Sequence, residues 1–172
     1  VVDSFDEGGL ITETVTSGDP DGFHLEGTNR FHCDEDGLRT MDTSFDWLGS
    51  DGQVYYYQGQ SFDPPMLRVR RSLALGDTWT QSSTRTLYSS NGDSIDDLNM
   101  DYEVAAEQFV STAAGAWTAL LVEGTNYDTD DIAERDWRVA GVGSVIFATY
   151  TDGVPGFAQE LAEIQDNPAS AP

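Results

Sequence analysis

Lysine is absent from the chain. All eight cations among its 172 residues are arginines, set against 31 Asp and Glu, for a formal charge of −23. A surface so poor in cations has nothing with which to neutralise phosphates, so nucleic acid and anionic lipid are not expected as partners. Cysteine occurs once, at Cys33. That excludes an intramolecular disulfide and a thiolate metal cluster. The preceding Arg30-Phe31-His32 is not the small-residue stretch that leads an acylated cysteine. Histidine occurs twice. His24 and His32 fall on one face of a predicted strand but about 27 Å apart at strand rise, too far to share a metal ion. His32 adjoins Cys33 in sequence, yet consecutive strand residues face opposite ways. Cys33 therefore reads as a packed or turn-flanking thiol and not as a nucleophile. The longest apolar runs, such as Val139–Val142 and Val145–Ala148, fall far short of the roughly 20 residues that span a bilayer. This segment is not expected to insert in a membrane. No basic stretch leads into an apolar one, and the chain opens on Val. The expectation is a processed or excised piece whose signal peptide has been removed or left out.

What is present is turn chemistry at a steady spacing. It recurs at Ser17–Gly22, Asp34–Gly37, Gly49–Gly52, Phe62–Pro65, Ser89–Asp93, Ala113–Gly115 and Asp152–Gly156. Between these lie short segments rich in Thr, Val, Tyr, Phe and Trp. That pattern predicts an antiparallel all-β domain. Alternation supports it: Phe23, Leu25 and Phe31 oppose His24, Glu26, Thr28, Arg30 and His32, and Leu67, Val69, Leu73 and Leu75 oppose Arg68 and Arg70. Arg71 breaks that phase, so a bulge, an ion pair or a strand end is expected there. Further strands are read at Leu10–Thr16, Arg39–Leu48, Gln53–Gln58, Trp79–Tyr88, Asp101–Thr112, Trp117–Gly124, Ile132–Val139 and Ser144–Tyr150. Phe157–Ile164 suits a short helix or a last strand equally. The length fits one domain over 1–172. Val1–Gly9 and Gln165–Pro172 read as loose tails.

The acidity suits a protein that stays hydrated at high ionic strength, or an exported one kept soluble by self-repulsion. A disordered acidic tail is rejected, because the 11% aromatic residues are spread along the chain.

Three motifs occur in fixed order. The first runs from Phe62-Asp63-Pro64-Pro65-Met66-Leu67 through Leu73-Ala74-Leu75-Gly76-Asp77-Thr78-Trp79. The second is Phe109-Val110-Ser111-Thr112-Ala113-Ala114-Gly115-Ala116-Trp117 and the apolar run after it. The third is Asp136-Trp137-Arg138-Val139-Ala140-Gly141-Val142-Gly143-Ser144-Val145. Over roughly 36–161 their order and spacing resemble exported β-domains of bacterial lipoproteins and periplasmic proteins. The resemblance implies a strongly curved antiparallel sheet of about ten strands, half-open to closed into a barrel, similar to periplasmic lipoprotein carriers, with at most one short helix. It implies an extracytoplasmic place (periplasm, outer-membrane-anchored or cell surface) and no catalytic residues. Its motif positions here are Pro65, Gly76, Asp77, Trp79, Gly115, Trp137, Gly141 and Gly143. Two departures stand out: Ala113 or Ala114 stands where the usual turn proline would, and Asp replaces a Lys-rich surface. Read from the residues alone, Gly76 and Asp77 make a turn and Trp79 anchors the next strand. Gly115 allows a tight hairpin, and Gly141 and Gly143 let the backbone kink at a corner.

Few residues point to chemistry. Asn91–Asp97 and Asp128–Asp131 gather oxygen ligands, but Ile95 and Ile132 stand where a Ca²⁺ loop needs a ligand. No cofactor is expected, with Ca²⁺ the lesser alternative. Carboxylate pairs are too numerous among 31 acids to single one out for glycoside chemistry. No nucleophile elbow, zinc-protease helix or phosphate loop occurs. Arg68, Arg70 and Arg71 would bind an anion or, more in keeping with the acidic excess, pair internally. Tyr55 and Tyr57 on one face, or Tyr56 on the other, would line an apolar cavity with Trp47, Trp79, Trp117 or Trp137 if the sheet enclosed one, but the same pattern suits an ordinary β core, which is the favoured reading. The reading is a non-catalytic exported envelope or cell-surface domain with a binding or structural role, its partner a small apolar ligand or a protein. The alternatives are a secreted hydrolase with a carboxylate pair and a surface-assembly subunit.

Overall fold

The structure, a computed structural model, describes residues 2–5, 10–18 and 24–161. Among them there is no helix. The eleven strands are β1 (Val2–Phe5), β2 (Leu10–Gly18), β3 (His24–Cys33), β4 (Gly37–Leu48), β5 (Val54–Arg70) and β6 (Thr78–Ser89), followed by β7 (Ser94–Thr112), β8 (Gly115–Asn126), β9 (Asp131–Val139), β10 (Gly143–Thr151) and β11 (Val154–Glu160). They form one antiparallel meander in which each strand pairs with its neighbours in the sequence. The order runs from β1 to β11 without returning, so the sheet is open and the closed form of the expected barrel is not found.

Two expectations change, and one left open is decided. Val2–Phe5, within the segment read as a loose tail, pairs with β2. The stretch 157–160 belongs to β11 and not to a helix, while 162–172 lies outside the described residues. Phe62–Pro65 is not a turn: β5 runs through it, joining two predicted strands. Asp42 faces Ser61 and Thr40 faces Met66 across β4, so four β5 residues stand opposite Met41 alone. Proline has no N–H for a ladder, and such a bulge on one side tolerates it. The other side stays paired, with Phe62 opposite Arg85 and Asp63 opposite Thr84. The Ser83 hydroxyl donates to the Pro64 carbonyl at 2.8 Å, and the Asp63–Pro64 peptide is cis.

The chain divides into two compact units, 1–72 with 81–99 and 73–80 with 100–172. In the first, Met66, Val69, Thr40, Thr43 and Ser83 are buried. In the second, the buried hydrophobic residues are Trp79, Met100, Tyr102, Val104, Ala119, Leu121, Val122, Val145 and Ala148. Trp117 and Trp137, in contrast to Trp79, are only half-buried. Aromatic rings lie over glycines on neighbouring strands at three register pairs: Phe45 over Gly27, Tyr88 over Gly59, and Tyr102 over Gly124. A ring in that position covers the apolar surface that a strand glycine leaves bare.

Candidate functional site

The motif residues are accounted for by backbone and packing. Ala74 to Asp77 is a turn closed by the Asp77 N–H on the Ala74 carbonyl at 3.0 Å. Its third residue is Gly76 at φ 85°, the sign a type II turn requires. The Asp77 carboxylate accepts the Ala74 N–H at 2.8 Å. The next links clamp this turn onto β7: the Gly76 N–H donates to the Val104 carbonyl, and the Val104 N–H donates to the Asp77 carbonyl, both at 2.9 Å. Trp79 then stacks on Tyr102, with ring centroids 5.0 Å apart and planes 12° apart. Pro65 lies half-buried in the β5 bulge.

Gly115 opens β8 at φ 153°, with the Trp117 ring 3.0 Å from where a Cβ would stand. The Ala114 N–H in the same turn donates to the Leu161 carbonyl at 3.3 Å, and the Leu161 N–H donates to Val145 at 2.8 Å. The end of β11 thus reaches the β7–β8 turn. Gly141 (φ 77°) and Gly143 (φ 103°) shape the β9–β10 hairpin turn, not a corner within a strand. Beside it, buried Asp136 accepts from the Ser144 hydroxyl at 2.5 Å and the Arg138 guanidinium at 2.7 Å. The Trp137 indole N–H donates to Gln108 at 2.8 Å.

The scarce cations are mostly committed. Arg30 meets its cross-strand partner Asp42, and Arg135 meets its partner Glu123 at 2.7 Å. Arg85 bonds Asp96 at 2.5 Å, and Arg39 reaches Asp34 at 2.6 Å and Asp36 at 2.8 Å. These hydrogen bonds hold the carboxyls of Asp34 and Asp96 below the ordinary carboxylate value, and raise Arg30, Arg39 and Arg135. Burial pushes the Tyr88 phenol up, and the Asp42 charge adds to it.

Other candidates separate. His24 lies 3.5 Å from Glu26, and Cys33 is exposed at the end of β3, beside a turn. In the acidic loops, Asp96 is taken by Arg85 and Asp97 accepts from Thr84 at 3.2 Å. The 126–131 turn is closed by its own backbone and by Asn126, whose side chain accepts the Asp128 N–H at 2.9 Å. Among the described residues, no three His, Cys, Asp or Glu gather as a metal ion would need. No helix among them is long and apolar enough to cross a membrane. Tyr56 meets Trp47 edge-on at 5.1 Å, whereas Tyr55 and Tyr57 are exposed.

Of the two clearest concavities, the larger, of about 660 Å³, is charged and not aromatic; Glu35, Asp36, Leu67, Arg70, Arg71 and Ser72 line it. The β4–β5 register builds it. Gly37 faces Arg70, bringing the 34–37 turn against the end of β5. A Cβ on Gly37 would stand 2.0 Å from the Val69 carbonyl oxygen, so only glycine allows this approach. The Arg71 N–H donates to the Asp36 carbonyl at 2.9 Å and ties the two segments together. β5 ends at Arg70, one of the outcomes expected from the broken alternation at Arg71. The sequence marks Arg70 and Arg71 as a cation cluster and Glu35 and Gly37 only as turn residues; the β4–β5 register alone brings these together. The second concavity, about 310 Å³, lies around Thr80, Asp101 and Glu103, where the Thr80 hydroxyl donates to Asp101 at 2.6 Å. Compared with known protein families, curated proteins and solved structures, the chain matches none of them.

Proposed function

We propose that the chain is a non-catalytic extracytoplasmic β-domain with a binding or structural role at a bacterial cell envelope, in keeping with the family its motifs resemble. The observation that carries this reading is the fate of the motif residues. Asp77 holds a turn, Gly76 docks that turn on Val104, Trp79 stacks on Tyr102, and Trp137 bonds Gln108. Each is engaged by its own chain, as scaffold residues are, and none is aimed at a shared point where a substrate atom would sit. The arginine–carboxylate pairs bind the strands to one another in the same way. A net charge of −23 supports a surface that stays hydrated and repels nucleic acid.

Two measurements on the full-length gene product test the reading. Protease applied to intact cells, or to cells with a permeabilised outer membrane, is expected to remove the domain; protection until the cytoplasm is opened would refute the location. Ester, glycoside and peptide substrates are expected to survive incubation. Turnover that is lost on replacing one carboxylate would refute the non-catalytic role and favour the hydrolase.

A further inference from the structure

Glu35 and Arg71 both line the larger concavity, and both are exposed. Neither side chain makes a hydrogen bond or ion pair among the described residues, with each other or with any neighbour. The other charges around them are committed: Asp36 to Arg39 at 2.8 Å, and Arg70 to a contact of its own. One positive and one negative group therefore face the same space with their hydrogen-bonding capacity unused. Leu67 adds an apolar side chain to the lining. The volume, about 660 Å³, lies in the range of roughly 300–1,000 Å³ usual for small-molecule sites.

Charge decides what such a site takes. A simple anion would have to approach a molecule of net charge −23, and a simple cation would meet Arg70 and Arg71 inside. A ligand with both signs and no net charge escapes the long-range repulsion and can satisfy both poles with charge-assisted hydrogen bonds. We infer that this concavity binds a small zwitterion, an amine–carboxylate compound whose carboxylate meets the Arg71 guanidinium and whose ammonium meets the Glu35 carboxylate. The backbone bond from the Arg71 N–H to the Asp36 carbonyl ties together the two segments that carry these side chains. The inference deepens the reading of a non-catalytic binding domain and rests on it.

The test is nuclear magnetic resonance on the whole chain, following the Arg71 Nε–H and Glu35 side-chain carboxyl signals. Glycine, β-alanine and γ-aminobutyrate are added, with acetate and methylammonium at matched ionic strength as controls. Saturable shifts of both signals are expected with at least one zwitterion, and binding at least tenfold weaker for acetate and for methylammonium. R71Q and E35Q, both exposed, should each weaken the zwitterion by about tenfold or more, the loss of one charge-assisted hydrogen bond. Should either variant misfold, the ligand series on the unaltered chain decides alone. No saturable shift with any of the three, or acetate binding as well as the zwitterion, would overturn the site. A zwitterion that binds and is then consumed would support the site while refuting the non-catalytic role.

Discussion

Replacing Gly124 by alanine probes the packing under the second unit most directly. Gly124 is buried in β8, with Tyr102 opposite it on β7 and Glu134 on β9. A Cβ there would stand 2.7 Å from Glu134 Cγ, 2.8 Å from Tyr102 Cε1 and 3.1 Å from Met100 Cε. Glu134 is half-buried. Tyr102 has nowhere to move: it is 3% exposed, and Trp79 is stacked on it at 5.0 Å. Forcing a methyl into such a site costs about 1–3 kcal/mol. Disturbing the aromatic pair costs a further ~0.5–1.5 kcal/mol. Removing glycine from a strand returns roughly 0.5–1 kcal/mol. The net expectation is a loss of about 1–3 kcal/mol, read as a lower urea midpoint by tryptophan fluorescence. The cause is tested by repeating the change in a Tyr102→Ala background. There G124A should be nearly neutral, giving a coupling of at least about 1 kcal/mol. An equal cost in both backgrounds, or a cost below ~0.5 kcal/mol on its own, would refute the argument.

Other outcomes follow from features of both units. The Thr40 hydroxyl is buried with no partner among the described residues, so Thr40→Val is expected to raise stability by about 1 kcal/mol; a lower urea midpoint would show that the hydroxyl is satisfied. Asp34 and Asp96 have folded pKa values below the unfolded 3.8, so the stability they contribute is complete above that value and is lost as pH falls through the folded values. Arg85→Gln should move the Asp96 titration, followed by carbon resonance, back up towards 3.8; an unmoved titration would remove Arg85 as the cause. With −23 charges on the chain, the melting temperature should climb steeply as NaCl shortens the Debye length from about 30 Å at 0.01 M to about 3 Å at 1 M, and millimolar Ca²⁺ at matched ionic strength should add little. A flat NaCl series would refute the repulsion argument, and a large Ca²⁺ increment would reveal a cation site.

The strands were legible because their ends are marked by residues with few alternatives. Gly76 at positive φ and the Asn91-Gly92 turn announce themselves in any sequence. The bulge at Phe62–Pro65 carries the same chemistry as a turn, and only pairing with β6 on its far side shows that the strand continues. Closure of the sheet was not legible either, since alternation along a strand reports which face is apolar and not which strand lies beyond the last one. Trp79 is buried and Trp117 is not, although both follow a turn glycine; the difference is made by Tyr102, which stacks on Trp79 from another strand. At the charged concavity, Arg70 and Arg71 could be noticed as a cluster. Glu35 is one acid among 31 until the β4–β5 register sets it beside them.

The meander has a consequence for the order in which the molecule is made. Each strand pairs with the one synthesised just before it, so no ladder has to wait for a distant part of the chain. A hairpin closes in about 1–10 μs, while synthesis adds roughly 5–20 residues per second. Every hairpin therefore has time to form long before the next strand arrives. The bond between Ala114 and Leu161 is different in kind. Its donor lies in a turn finished early, and its acceptor lies just beyond the end of β11. That latch closes only once β11 has been made, and it joins a turn to the end of a strand beyond its immediate neighbours, where every ladder joins strands adjacent in the sequence.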